Sequence, residues 1–388
     1  MENFRYQNPT EVVFGQGQIA LLPELLAEYA PKNPKILLTY GGGSIKKNGV
    51  YDQVKKALAG FDVIEFGGIE PNPQYSTLMK AVELAKKEGV NFLLSVGGGS
   101  TLDGTKFIAA AALWEGDPWD GILEKAIPVK NALPIASVIT LPATGSETNG
   151  FSVISKKEED KKLAFWSKAV FPKFSIIDPA VTFSLPPRQT GNGIVDTFIH
   201  VVEQYITHPQ DAPLADRQAE ALLLALIETA PRVIANPNDY QARANIFWMA
   251  TQALNGWLNV GTVQCWAIHG IGHELTAQVG VDHGRSLALV LPGMWRHQRK
   301  EKGEKIAQLG RRVFGLTETD QDKLIDQTIA KTKEFFESVG VKATRQAYGV
   351  TDDVIDAVAA MIGSRNVKLG DRANIGAEQV AEILRLCD

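Results

Sequence analysis

Residues 91–114, NFLLSVGGGSTLDGTKFIAAAALW, carry the reading of the fold. A short apolar run stops at three glycines, and an apolar helical pattern follows at once. A run of this length bounded by glycine reads as a buried strand, and a strand feeding a helix is half of a βαβ unit. The same pattern recurs on either side. KILLTY (35–40) leads into a second GGGS at 41–44 and the amphipathic stretch VYDQVKKALAG, and FDVIEF (61–66) leads into PNPQYSTLMKAVELAKKEG, helical after its prolines. PIASVIT (134–140) leads into LPATGSE (141–147). This alternation predicts a parallel sheet with helices on its faces.

From LPPRQTGNG (185–193) the texture changes. Long helical patterns take over at 216–235, 240–258, 326–340, 353–363 and 377–387, and strand-like runs nearly vanish. The expectation is an α/β domain over residues 1–185 and an all-α domain over 186–388, with a ligand site in the cleft between them.

Length and composition bound what such a chain does. Its 388 residues suffice for two ordinary domains, and 45% apolar with 22% charged residues is usual for a globular enzyme. A net charge of −4 gives no drive toward nucleic acid or a membrane surface. MENFRYQNPTEVVFG lacks the basic and apolar regions of a signal peptide, and no apolar run is long enough to span a bilayer. Two cysteines, Cys265 and Cys387, make no disulfide framework and fit a reducing cytoplasm.

Glycines after a strand let backbone N–H groups approach an anion at the start of the next helix. Neither GGGS is the usual dinucleotide fingerprint: Lys46 and Leu102 stand where G-x-G-x-x-G needs its third glycine. Nor is GGGSTLDGTK a P-loop, because Thr105 separates Gly104 from Lys106. Two such loops in one sheet, with Thr140, Thr144 and Ser146 as hydroxyl donors after the next strand, point to a phosphate-bearing cofactor.

Three of the chain's six histidines fall in HGIGHELTAQVGVDHGR (269–285). The zinc-protease pattern H-E-x-x-H fails, since Ala277 holds the place of its second histidine. His269 and His273, four apart, share one face of a helix, and His283 follows in the loop after Gly280. NGIVDTFIHVVEQY (192–205) offers Asp196 and His200, again four apart, on a helix apolar nearly all round, with Asn192 and Gly193 resembling its start. A carboxylate buried there needs a partner. Asp196, His200, His269 and His283 therefore form a candidate site for Fe(II) or Zn(II). A metal with a nicotinamide implies redox chemistry on a C–O bond.

Together these segments, with FGGIEPNP, resemble the iron-containing (group III) alcohol dehydrogenases, in the branch of NADPH-dependent butanol dehydrogenases and broad-specificity aldehyde reductases. The resemblance runs essentially end to end. It implies a Rossmann-like α/β domain and a helical domain in the dehydroquinate synthase-like plan, one divalent metal on Asp196, His200, His269 and His283, and NADPH. His273 would lie beside nicotinamide and substrate, as proton relay or positioning group. Gly98, Gly99 and Ser100 would meet the pyrophosphate, with Asp103 on the first turn of the next helix. Thr140, Thr144, Ser146, Asn149 and Lys162 would line the cofactor cleft, and Asn72 the adenine side. Some family members carry an acidic residue in the first glycine loop. Here Gly41, Gly42, Gly43 and Ser44 carry none, with Lys46 and Lys47 close behind, which suits a 2′-phosphate; Glu65, at the end of the second run, is the one competing acid. The apolar neighbours Val195, Phe198, Trp266, Ile268 and Ile271 favour small uncharged aldehydes and alcohols over the sugar acids of a metal-dependent lyase. A cytoplasmic homodimer is the family expectation.

Overall fold

A computed structural model describes residues 1–388. The N-terminal part runs β1 (Glu11–Phe14), α1 (Leu22–Tyr29), β2 (Lys35–Tyr40), α2 (Ser44–Lys47), α3 (Val50–Ala57), β3 (Asp62–Phe66), α4 (Tyr75–Glu88), β4 (Phe92–Gly97), α5 (Gly99–Ala112), β5 (Ile135–Ile139), β6 (Phe151–Lys156), β7 (Lys161–Trp166) and β8 (Phe174–Ile177). Nine helices follow: α6 (Pro187–Tyr205), α7 (Pro213–Ala235), α8 (Tyr240–Ala253), α9 (Ala267–Val279), α10 (His283–His297), α11 (Arg299–Arg312), α12 (Gln321–Ser338), α13 (Asp352–Ser364) and α14 (Ala377–Arg385).

Six strands form one parallel sheet in the order β1-β8-β5-β4-β2-β3. The period-2 alternation of a strand sorts its side chains into two cores. Leu37, Leu93, Ile135 and Ile177 pack with Leu78, Val82, Leu102 and Phe107 of α4 and α5. Ile36, Leu38, Phe92, Leu94, Val138 and Ile176 pack on the other face with Leu22, Leu26, Val50 and Val54 of α1 and α3. Covered on both sides, β2, β4 and β5 read as continuous apolar runs, and the edge strand β3 stands out by Val63, Ile64 and Phe66. The edge strand β1 and the short β8 do not stand out, and neither does the antiparallel hairpin β6–β7.

The topology puts the glycine loops in a particular place. The chain leaves β2 toward β3 on one side and leaves β4 toward β5 on the other, while β2 and β4 are neighbours. This is a topological switch point, where open α/β sheets bind ligands at the carboxyl ends of their strands. Both GGGS segments begin there, at the ends of β2 and β4.

The chain divides into two compact units, and the division is not a single cut. One holds Gln7–Leu185 with Arg243–Thr251 from within α8; the other holds Met1–Tyr6, Pro186–Ala242 and Gln252–Asp388. In the helical unit α6 begins at Pro187, not at Asn192–Gly193, because proline suits the first helical position, where no N–H partner is needed. His283 is not a loop residue but the first residue of α10, after the left-handed Gly280 that ends α9.

Gly191 on α6 marks a close approach: a Cβ there would lie 2.2 Å from the Val339 carbonyl oxygen after α12. Alanine is the better helix former, yet the backbone must move to admit it. Gly191→Ala is expected to destabilise the protein by about 1–3 kcal/mol. A melting temperature equal to wild type or higher would show that the contact relaxes freely.

Candidate active site

Three helices of the helical unit converge on one carboxylate. Asp196 on α6 is buried, and its Oδ1 lies 3.6 Å from His200 Nε2, 3.7 Å from His269 Nε2 and 3.6 Å from His283 Nε2. The ligand atoms of Asp196, His200 and His269 all lie within 4.8 Å of one another. These separations exceed hydrogen-bond length. Asp196 Oδ1 and His269 Nε2 are buried and accept or donate no hydrogen bond. A tetrahedral ion with bonds of about 2.1 Å would place its ligand atoms about 3.4 Å apart, close to the three oxygen–nitrogen separations. One oxygen and three imidazole nitrogens are also the donor set that a borderline divalent ion takes. Asp196, His200 and His269 therefore fit a metal, and His283 faces the same carboxylate oxygen from α10. Burial pushes the Asp196 carboxyl up, and the three imidazoles outweigh it, holding the group well below the ordinary carboxylate range.

Local structure explains the convergence. Asp282, the residue before α10, accepts from Asn192 Nδ2 at 2.8 Å and Arg188 Nε at 2.7 Å, both on α6. Gly284 lets the start of α10 nest on α6, since a Cβ there would lie 2.5 Å from the Asn192 carbonyl oxygen. Helices α9 and α10 meet at Gly272, whose Cβ would strike Leu287 at 2.7 Å. His283 is thereby carried to Asp196. Trp266 caps α9 in a left-handed conformation unusual for a large residue, with its ring 5.2 Å from that of His269 and 6.2 Å from that of His200.

His273 stands beside this group without joining it: its ring centroid is 5.2 Å from His283 and 6.2 Å from His269. Of the apolar neighbours expected around the ligands, Val195, Phe198, Ile268 and Ile271 are core residues. Phe198 packs on Phe335 and Phe336. Trp266 is partly exposed, and its ring lies against those of His200 and His269. Sequence reasoning missed Glu203, whose carboxylate is buried against the Nδ1 of His269. Its signal was the spacing: Asp196, His200 and Glu203 follow the i, i+4, i+7 pattern of one helix face.

In the α/β unit, Gly43 takes φ +100° and needs glycine, whereas Gly42 faces open space. At the second loop a Cβ on Gly99 would strike Thr144 Oγ1 at 2.3 Å, and one on Gly98 would lie 3.4 Å from Leu141. Gly99 is thus also a packing requirement. Gly41 is similarly close to the Ile69 carbonyl oxygen, at 3.2 Å. Ser100 is the second residue of α5, and Thr140 donates its N–H to the Gly97 carbonyl.

Asp103 is the fifth residue of α5, past its first turn, and it ties elements together instead of capping the helix. Its carboxylate accepts from Ser146 Oγ at 2.7 Å and from the Val153 N–H of β6 at 3.1 Å. Ser146 and Asn149 are buried, and Lys106 Nζ donates to Ser146 Oγ, to the carbonyls of Ser146 and Phe151, and to Asn149 Oδ1. The side chains of Ser146 and Asn149 are thus engaged in a brace beneath the loop. Burial lowers the Lys106 ammonium to about 8 despite Asp103 and Glu147 nearby. Lys162 is buried on β7 and donates to Asn72 Oδ1 at 2.9 Å. Asn72 is itself left-handed, with φ +56°.

The family model for iron-containing alcohol dehydrogenase matches residues 9–179, and that for the C-terminal part of the Fe-containing alcohol dehydrogenase family matches 190–387. The chain belongs to the iron-containing alcohol dehydrogenase family. It is similar to the NADPH-dependent aldehyde reductase YqhD of Escherichia coli (strain K12), 49% identical over 97% of each chain. It is also similar to the probable NADH-dependent butanol dehydrogenase 1 of Bacillus subtilis (strain 168), 42% identical over 99% of each. Among solved structures, NADH-dependent butanol dehydrogenase A of Thermotoga maritima superposes with a TM-score of 0.95 at 39% identity, covering 100% of this chain and 99% of that one.

Asp196→Ala and His269→Ala are each expected to lose most bound metal, and His273→Ala to keep it while turnover slows. Metal content per folded protein measures this. If His273→Ala loses metal as completely as His269→Ala, the ligand set is a different one.

Proposed function

We propose that the protein is a metal-dependent, NADPH-preferring reductase of short to medium uncharged aldehydes, which also runs in the alcohol-oxidising direction. The observation that carries this reading is the single Asp196 oxygen facing three imidazole nitrogens at 3.6–3.7 Å, in a chain of this family. A divalent ion there supplies Lewis acidity toward the carbonyl oxygen, and a nicotinamide supplies the hydride. Asp196, His200, His269 and His283 would hold the ion. The loops at 41–44 and 98–100, with Thr140, Thr144 and Asp103, would seat and shape the cofactor's phosphates, and Asn72 with Lys162 its adenosine end. His273 would orient the substrate or pass its proton. We also read the protein as cytoplasmic, in keeping with its two buried free cysteines, and as a homodimer, the expectation for its family.

Preference for an uncharged substrate rests on the charges around the ligand helices. Arg188 and Arg285 are paired with Asp282, Arg365 with Glu274, and Lys302 with Asp371. Cations already matched to carboxylates are poor recruits for a polyanionic sugar acid. Butanal is expected to give a higher kcat/KM than glyoxylate with NADPH, and dialysis against a chelator to abolish the butanal-dependent loss of NADPH absorbance until Fe(II) or Zn(II) is returned. Undiminished turnover in the chelated protein, or a higher value for glyoxylate, contradicts the proposal.

The choice of NADPH is supported by what has become of Glu65. Its carboxylate accepts from Tyr51 Oη at 2.9 and 3.0 Å, from Tyr40 Oη at 3.1 Å and from Lys55 Nζ at 2.8 Å. The one acid suited to a ribose hydroxyl is engaged. Lys46 is not bonded to it directly, and its ammonium lies 4.9 Å from the centroids of Tyr40 and Tyr51. A side chain at Gly42 meets nothing within 4 Å, so Gly42→Asp adds charge without strain. A carboxylate about 4 Å from a phosphate opposes it by up to about 4 kcal/mol at an effective dielectric near 20. At an exposed loop, solvent and salt reduce this, leaving roughly a tenfold shift of the kcat/KM ratio toward NADH. An unchanged ratio would place the 2′-phosphate elsewhere.

A further inference from the structure

Glu203 is buried at the C-terminal end of α6, one turn beyond His200. Its carboxylate accepts the backbone N–H of Ile268 at 2.6 Å and of His269 at 3.1 Å, and it faces the Nδ1 of His269. Its own carbonyl accepts the Cys265 N–H at 2.9 Å. Each of these donors belongs to the start of α9 or the residues leading into it. A carboxylate this deep needs compensation, and no lysine or arginine supplies it: every partner named is an N–H group. Capping the first turn of α9 explains two of the bonds, since the N–H groups there have no partner within the helix. It does not explain the third. A carboxylate accepts and does not donate, so the ring nitrogen facing it carries the proton. The other nitrogen of the same ring, Nε2, is the one turned toward Asp196 Oδ1.

We propose that Glu203 is the positioning residue of the metal centre. It holds His269 as the Nδ1–H tautomer, which leaves the Nε2 lone pair free for the ion. Its negative charge joins that of Asp196, so the buried site carries two charges and matches a divalent cation. Carboxylate partners of ligating imidazoles act in this way by fixing the ring and raising its basicity. The inference rests on the reading that Asp196 and the three histidines bind a metal.

The test separates positioning from mere capping. Glu203→Gln keeps a carbonyl acceptor for the start of α9 but removes the charge and offers an N–H to the ring. Competition of zinc between the protein and a chelator gives the affinity, and melting of the metal-free proteins gives the structural effect. Glu203→Gln is expected to bind zinc about 10–100-fold more weakly, with the metal-free melting temperature within a few degrees of wild type. Unchanged affinity, with or without a lower melting temperature, overturns the proposal. Should the variant not fold, nitrogen-15 NMR of the zinc-loaded wild type decides. A proton on His269 Nδ1 supports the assignment, and a proton on Nε2, or none on Nδ1, overturns it. Wild-type protein that binds no zinc or iron would overturn the metal reading itself, and with it this inference.

Discussion

One oxygen atom, Asp196 Oδ1, sets the arrangement of the helical unit. A carboxylate buried in an apolar helix is unfavourable by several kcal/mol unless polar or charged partners compensate it. The chain answers by bringing three imidazoles from three helices to 3.6–3.7 Å of that oxygen. Their approach is enforced at a distance from the site itself. Asp282 and Gly284 lock α10 onto the start of α6, and Glu203 locks α9 onto its end. The glycines matter here as points of contact between backbones, where a single methyl group would push a ligand away. Three imidazoles held at more than hydrogen-bond length from one carboxylate oxygen leave space that suits a cation.

The α/β unit meets a different constraint. Its glycine loops at the switch point between β2 and β4 carry few side chains that could anchor them. The anchoring is supplied from below, where Lys106 and Asp103 of α5 reach Ser146, Asn149 and β6. Buried polar groups of this kind stabilise only when nearly all are satisfied. Here they tie the loop after β5 to the helix after β4, so two of the segments that would seat a cofactor are held as one piece.

Much of this was legible in the sequence, and the reasons are physical. Strands covered on both faces appear as unbroken apolar runs, and Asp196 and His200, on one helix face, stand four apart. Asp196, His200, His269 and His283 could therefore be named together, although His283 is reached through a turn and opens the next helix. What stayed hidden depends on partners far apart in the chain. Nothing local tells that Ser146 points inward to Lys106, that Glu65 is engaged by Tyr40, Tyr51 and Lys55, or that Phe198 packs on Phe335 and Phe336. An apolar neighbour of a ligand reads the same whether it faces the core or the substrate. Glu203 was open to recognition by its spacing alone, but its meaning comes from the N–H groups of α9, 65 and 66 residues away.

The central claim is that one divalent ion occupies the space between Asp196, His200, His269 and His283. Anomalous diffraction from crystals of the protein, collected on both sides of the iron and zinc absorption edges, tests it without reference to catalysis. The account predicts one strong peak in the helical unit, about 2.0–2.2 Å from an Asp196 carboxylate oxygen and from one nitrogen of each of the three histidines. No peak there from metal-supplemented crystals, or a peak bound through His273 in place of one of these four, would contradict it.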